Sequence, residues 1–162
     1  MITKVRLKNW KSHLDSEFDF TFGTNALLGR MGAGKSSCLD AICFALFGSF
    51  PSLQSKKIKI DDIIMKKPQE KDKAEVEVNF DLDGSFFSVK RVIEKRKGTT
   101  YSEIRENGKL LINSVHAQPG APADRQVALK IRERIEDLAD FLGAKVVEYT
   151  ARVPKAWRSS LR

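Results

Sequence analysis

Residues 29 to 36 are the part of the chain whose types and spacing could do chemistry. Their sequence, Gly-Arg-Met-Gly-Ala-Gly-Lys-Ser, fits the phosphate-binding pattern G-x-x-x-x-G-K-[ST]. Glycines allow such a loop to close around a phosphate and to aim successive backbone N–H groups at it. Lys35 supplies a charge for the β- and γ-phosphates, and the Ser36 hydroxyl can bind the magnesium that bridges them. The pattern predicts an ATP site with Mg²⁺ as its metal.

The elements that flank this loop must hold it in place. Residues 25–28 are a short apolar run that predicts a buried strand leading into the loop. From Ser36 onward the spacing is helical, and Gly48 and Pro51 mark the end of the helix. The predicted apolar face of that helix is Leu39, Ile42, Cys43 and Leu46.

Strands are predicted on both sides of the helix. Residues 2–8 alternate roughly between apolar and polar, and residues 17–22 alternate cleanly, which places Phe18, Phe20 and Phe22 on one face. After the helix, residues 56–73 are rich in lysine and are expected to be mostly loop with one helical turn.

An antiparallel meander is predicted for the next part of the chain. Residues 74–81 alternate, with Val76, Val78 and Phe80 facing inward. Three turn signals then separate further strands at 86–94, 99–106 and 109–112: Asp83-Gly84, Lys97-Gly98 and Asn107-Gly108. The fold class is therefore α/β, but no βαβ unit follows the first helix.

Length and composition limit the domain count, the partners and the location that can be expected for this chain. The 162 residues suffice for one domain with its own core, and the formal charge of +8 permits a polyanionic partner such as DNA. Cys38 and Cys43 lie five apart on one helix, so we interpret them as small apolar residues and not as a disulfide. No apolar run approaches the roughly 18 residues that span a bilayer, and no signal peptide is seen, so a cytoplasmic protein with no membrane partner is expected.

Several runs together resemble one family. They are residues 5–13 (Val-Arg-Leu-Lys-Asn-Trp-Lys-Ser-His), the glycine loop, residues 36–42 (Ser-Ser-Cys-Leu-Asp-Ala-Ile) and residues 44–48 (Phe-Ala-Leu-Phe-Gly). The chain from residue 1 to about 113 resembles the N-terminal lobe of the Rad-fifty family of double-strand-break repair ATPases, which are relatives of the SMC (structural maintenance of chromosomes) proteins. The resemblance implies a P-loop NTPase fold of the ABC/SMC-like head type.

The resemblance also implies how such a lobe works. It joins a C-terminal lobe of the same ATPase across a long coiled coil, and two heads dimerise on ATP. The complete head hydrolyses ATP, works with an Mre-type nuclease and binds DNA, in the cytoplasm or at the nucleoid of a prokaryote. The motifs that complete the catalytic site come from the C-terminal lobe, so this chain alone is expected to bind ATP weakly and to hydrolyse it negligibly.

The family's site residues are carried over position by position. Lys35 is the residue assigned to catalysis, and Ser36 is assigned to the metal. The nucleotide-binding set is Lys11, Met31, Gly32, Ala33, Gly34, Lys35, Ser36, Ser37, Ile64, Met65 and Lys66. Met31 stands where the family usually has Asn, which implies the loss of a side-chain contact to phosphate while the backbone N–H can still serve.

Three other polar residues are weaker candidates for catalysis. No run of four apolar residues followed by Asp is found; the run 78–81 (Val-Asn-Phe-Asp) comes nearest, but its Asp81 lies in an alternating strand that is expected to face solvent. Gln118 is too early in the chain for the family's glutamine loop, and His116 is interpreted as a surface residue. We predict a lobe at 1–113, a linker at 114–123, and a helix with a basic tail at 124–162 that no family pattern explains.

Two alternative functions stay open at this point. A complete small P-loop kinase or GTPase would follow the first helix with parallel strands, whereas a meander is predicted here. A basic DNA-binding module would use lysines 56, 57, 59, 66, 67, 71 and 73 and the run 95–97 on phosphates.

Overall fold

A six-stranded antiparallel sheet with one long helix against it forms the fold. The computed structural model describes residues 1–115, and the strand order across the sheet is β2-β1-β3-β4-β5-β6. The strands are β1 Ile2–Trp10, β2 His13–Asp19, β3 Lys73–Leu82, β4 Ser85–Glu94, β5 Gly98–Glu106 and β6 Lys109–Val115. Helix α1 spans Lys35–Phe47, helix α2 spans Pro51–Gln54, and a 3-10 turn covers Ile60–Ile63.

The meander from β3 to β6 confirms the prediction from the turn signals. Asp83 and Gly84, and likewise Asn107 and Gly108, have positive φ angles, as two-residue hairpin turns require. Every neighbouring pair in the sheet is antiparallel. The single helical turn expected within 56–73 is the 3-10 turn at Ile60–Ile63.

The core lies between α1 and one face of β1, β3 and β4. Inward side chains from these strands are fully buried, and the helix covers them with two alanines and Phe44. Each large apolar side chain that is fully buried contributes about 1.5–3 kcal/mol relative to exposure. The inward strand residues are Val5, Leu7, Val76, Val78 and Val89.

The buried face of α1 differs from the predicted one. The helix buries Cys38, Ala41, Phe44 and Ala45, whereas Leu39 is 57% exposed and Phe47 lies on the exposed side as well. Because α1 is apolar on most sides, helical spacing alone permits more than one face. The aromatic ring decides between them, since Phe44 packs 5.4 Å from the Trp10 ring, centroid to centroid.

The strand predicted at residues 25–28 does not form. Residues 24–30 pair with no strand of the described chain, and the Leu28 side chain is 91% exposed. A strand that is apolar on both faces needs a partner strand to satisfy its backbone groups. The described sheet supplies none, so the apolar run remains at the surface.

Strand β2 also begins and ends earlier than predicted. It starts at His13 and stops at Asp19, so Phe22 lies beyond it and is 93% exposed. The chain turns there because Asn25 exchanges hydrogen bonds with Thr21: its Oδ1 accepts from the Thr21 backbone N–H at 3.0 Å, and its Nδ2 donates to the Thr21 carbonyl at 2.8 Å. Gly23, with φ of 99°, completes this turn.

The outer face of the sheet is a charge-balanced surface. Lys4 and Arg6 of β1 both pair with Glu17 of β2, and Glu75 of β3 pairs with Lys73 and Lys90. The hydrogen bonds from Lys4 and Arg6 lower the pKa of Glu17. Lys4, Arg6, Lys73 and Lys90 on this face therefore already have acidic neighbours.

The predictions for His116, Gln118 and the helix from residue 124 lie outside the described residues. Strand β6 reaches Val115 and therefore includes the first two residues of the predicted linker, 114 and 115. Among residues 1–115, no helix is both long and apolar enough to cross a membrane.

Candidate functional site

The glycine loop at residues 29–36 ends at the first residue of α1. Gly32 and Gly34 have φ angles of 82° and 87°, the left-handed region that glycine adopts readily. The Ala33 backbone N–H donates to the Arg30 carbonyl at 3.1 Å and closes the turn. No side chain caps the N-terminus of α1, and its first turn holds no acidic residue. The first N–H groups of the helix are therefore oriented for an anion.

Lys35 lies across the loop. Its ammonium donates to the carbonyls of Gly29 and Arg30 at 2.8 and 2.9 Å. Two of its three donors thus hold the loop, and a phosphate oxygen could replace either carbonyl as acceptor. The Lys35 ammonium therefore lies within the loop.

The remaining loop residues differ in exposure. The Met31 side chain points fully into solvent, so only its backbone faces the loop. Ser36 is exposed at the first turn of α1, where its hydroxyl can bind a metal, and Ser37 is half-buried. A Cβ added at Gly32 would meet open space, whereas one at Gly34 would meet His13 and Ser12.

A hairpin between β1 and β2 holds the start of α1. Its turn is Lys11-Ser12, and Trp10 faces His13 across it. The fully buried Trp10 donates its indole N–H to the Ser37 carbonyl at 2.9 Å. The His13 Nε2 lies 3.1 Å from the Gly34 carbonyl oxygen. We call Trp10, Lys11 and His13 the hairpin clamp.

Lys11, a predicted nucleotide contact, reaches α1 as well. Its ammonium pairs with Asp40 Oδ2 at 2.6 Å and lies 4.8 Å above the Phe50 ring. Asp40 follows Ser36 by four residues, so both occupy the same side of the helix. The ammonium is therefore about one helical turn from the Ser36 position.

The stretch Ile64-Met65-Lys66 lies beside the hairpin. The Met65 backbone N–H donates to the Asn9 carbonyl at 2.8 Å, and the Lys11 N–H donates to the Ile63 carbonyl at 2.7 Å. Ile64 and Met65 are buried, while Lys66 is exposed and pairs with Asp62 at 2.6 Å. A nucleotide contact from this stretch would therefore use its backbone or Lys66.

Asp81 lies at the other end of the sheet. Its backbone N–H donates to the Met1 carbonyl, whereas the loop contacts the end of β1 at Trp10 and beyond. At about 3.3 Å per strand residue, the nine residues of β1 separate the two places by more than 20 Å.

His13 is the residue that sequence reasoning missed. It stands in the run 5–13 that carries the family resemblance, but nothing marks it as a neighbour of a residue 21 positions away. The available signal was a histidine directly after a tight turn, in a hairpin that precedes a phosphate loop.

This geometry defines a class: an α/β P-loop lobe of the ABC/SMC-like type with an antiparallel meander. Residues 4–152 match the family model described as AAA domain, and the chain belongs to that family. It is 39% identical over 117 residues to the "DNA double-strand break repair Rad50 ATPase" of Thermoplasma acidophilum, and 36% identical over 113 residues to that of Thermoplasma volcanium. These matches cover 71% and 68% of this chain, and 12% of each relative.

A solved structure shows the same fold. It is titled "Structural biochemistry of ATP-driven dimerization and DNA stimulated activation of SMC ATPases" and aligns with a TM-score of 0.60 at 22% identity. The alignment covers 93% of this chain and 95% of the other. Together with the family match, it confirms the predicted N-terminal lobe of a Rad50/SMC-like ATPase.

Proposed function

We propose that this chain is the ATP-binding N-terminal lobe of an ATPase head for DNA double-strand-break repair. The observation that carries the proposal is the loop geometry: two left-handed glycines, a lysine folded across the loop, and an uncapped helix start. The phosphates would lie against the backbone N–H groups of the set Met31, Gly32, Ala33, Gly34, Lys35, Ser36 and Ser37.

The residues of the loop fit magnesium as well as phosphate. The exposed Ser36 hydroxyl would hold the ion, because Mg²⁺ takes oxygen ligands and few of them from protein. When bound, Mg²⁺ neutralises charge on the β- and γ-phosphates. Lys35 would add its ammonium to the same oxygens, which is its assigned part in catalysis. Lys11 and Lys66 are proposed to approach the nucleotide from the hairpin side.

Hydrolysis is proposed to need a C-terminal lobe. Among the described residues, the Asp40 carboxylate one turn into α1 is paired with Lys11, and Asp81 is far from the loop. Residues 24–30 are unpaired in the described chain, and Phe22, Leu28 and Leu39 are exposed nearby in sequence. An unpaired segment and exposed apolar side chains are what a second lobe would cover.

A titration of the full chain with a fluorescent ATP analogue and Mg²⁺ tests the site. Lys35→Ala should weaken binding at least about tenfold, since a charge-assisted contact contributes about 1.5–3 kcal/mol. Lys57→Ala is the matched control, because Lys57 is exposed and outside the loop. Equal affinity of the wild type and Lys35→Ala would refute the assignment.

The need for a second lobe has its own experiment. The chain alone should release almost no phosphate from ATP, and a separately produced C-terminal lobe of a Rad50 relative should restore turnover when mixed with it. Fast turnover by the chain alone, lost in Lys35→Ala, would overturn the proposal. So would an inactive mixture in which both lobes are folded and bound.

DNA is a proposed partner, and the lysine-rich loop favours it over the outer sheet face. Lys56, Lys57, Lys59 and Lys67 are exposed and take part in no ion pair among residues 1–115. Phosphate contacts of this kind give an affinity that falls steeply with salt. If the loop binds duplex DNA, Lys56→Glu with Lys57→Glu should reduce the salt dependence, while Lys35→Ala should leave it unchanged.

Two further partners follow from the family assignment and belong to the same proposal. An Mre-type nuclease would bind the assembled ATPase, and two heads would dimerise on ATP. Sedimentation of the assembled head with and without ATP tests the dimer, and co-sedimentation with the nuclease tests the complex.

A further inference from the structure

The phosphate loop takes its position from the hairpin clamp. The segment before the loop pairs with no strand in the described part of the chain, so it cannot anchor the loop in the way a paired strand would. Three groups on the start of α1 are bonded instead to one hairpin: the Gly34 carbonyl, the Ser37 carbonyl and the Asp40 carboxylate. They are spaced by three residues and therefore follow one side of the helix.

His13 makes the clamp contact nearest to the phosphates. A carbonyl can only accept, so the Nε2 that lies 3.1 Å from the Gly34 oxygen carries the proton. Nδ1 lies 3.1 Å from the Ser16 hydroxyl, which can rotate to suit it. The ring is only 7% exposed and packs edge-on against Phe18 at 5.6 Å, so its orientation is fixed.

The bond from His13 to the Gly34 carbonyl influences a backbone donor on the opposite side of the same peptide. The Gly34 C=O and the Lys35 N–H belong to one planar trans unit, in which they point in opposite directions. A carbonyl held toward His13 therefore turns the Lys35 N–H away from His13. The same carbonyl also accepts the first hydrogen bond of α1, from the Cys38 N–H at 3.0 Å, so His13 and the helix together restrict rotation of this peptide.

We infer that His13 is a positioning residue of the phosphate site: it donates from Nε2 to the Gly34 carbonyl and thereby aims the Lys35 N–H at a bound phosphate. The inference rests on the proposed ATP site, which it deepens. His13 itself touches no nucleotide in this scheme. Its effect is on how well the loop is preorganised, and it should appear as affinity for the phosphates.

Two substitutions separate the roles of the two ring nitrogens. The amide nitrogen of Gln reaches approximately the place of Nε2, whereas that of Asn reaches approximately the place of Nδ1. His13→Gln should stay within about twofold of the wild-type affinity for the fluorescent ATP analogue with Mg²⁺. His13→Asn should bind about tenfold more weakly, the factor that corresponds to one lost hydrogen bond. Thermal unfolding of the full chain confirms that each variant is folded.

A second readout needs no nucleotide. Nitrogen NMR of the wild-type His13 ring should show a protonated Nε2, and the Lys35 amide resonance should move in His13→Asn but stay in His13→Gln. An unprotonated Nε2, an unchanged affinity in folded His13→Asn, or equal losses in both variants would overturn the inference. If the wild type binds no nucleotide, the ATP proposal fails, and the NMR result alone decides whether His13 orients the peptide.

Discussion

Gly34→Ala is predicted to lower the free energy of unfolding more than any other glycine-to-alanine substitution in the loop. The new Cβ would lie 2.4 Å from His13 Nε2 and 2.6 Å from Ser12 Oγ, and the φ of +87° would be strained for any L side chain. The left-handed conformation costs about 1–2 kcal/mol. Displacement of the His13 ring adds the loss of its hydrogen bond, about 1 kcal/mol, and some repacking of a buried side chain.

The expected loss in free energy of unfolding is about 3–5 kcal/mol. Gly32→Ala is the matched control, since its φ is +82° but its Cβ would meet no atom within 4 Å. It should lose only the conformational part, about 1–2 kcal/mol. Urea unfolding of the full chain without nucleotide, followed by circular dichroism, measures both. With a urea slope of about 1–3 kcal/mol/M, the two midpoints should differ by roughly 1 M.

A double variant tests the steric reason directly. His13→Ala removes the ring that the new methyl group would strike, so His13→Ala with Gly34→Ala should lose less stability than the two single changes together, by about 1 kcal/mol or more. If Gly34→Ala costs no more than Gly32→Ala, or if the double variant is strictly additive, the close approach of His13 to the loop is refuted.

Three other changes have defined outcomes. Trp10→Phe should lower the free energy of unfolding by about 1–2 kcal/mol in urea titrations, because it removes the donor to the Ser37 carbonyl and leaves a small void. Asp40→Asn should cost less than about 1 kcal/mol, and less still in high salt, because the ion pair with Lys11 is partly exposed. Burial raises the pKa of Glu75, but Lys73 and Lys90 lower it by more, to below the usual 4.5. The stabilisation that these ion pairs give the fold is therefore present above about pH 4.5 and is lost as the pH falls through the folded-state pKa of Glu75. Glu75→Gln should flatten this decline in the urea midpoints.

The sequence predicted those parts of the fold that local patterns determine. Hairpin turns depend on residues such as Asn107-Gly108 that favour positive φ, and the loop motif depends on adjacent residues. The hairpin turns were correct because no distant contact is needed to produce them.

The errors came from contacts across the fold. The buried face of α1 depends on Phe44 meeting Trp10, which is distant in sequence, and the run 25–28 depends on a partner strand that residues 1–115 do not provide. The contact between His13 and Gly34 joins two residues through a hairpin and a loop. Periodicity in one segment contains no information about which neighbour will cover it.

Helix α1 is secured at both ends, which determines how it can move. At its C-terminal end, the buried Arg91 of β4 donates from Nε to the Ala45 carbonyl at 2.7 Å, while Trp10 holds the Ser37 carbonyl near the start. Sliding along the helix axis would break both bonds together, at about 1 kcal/mol each. The helix is therefore held against translation along its axis, and we expect a displacement of the phosphate loop to move α1 and strand β4 together.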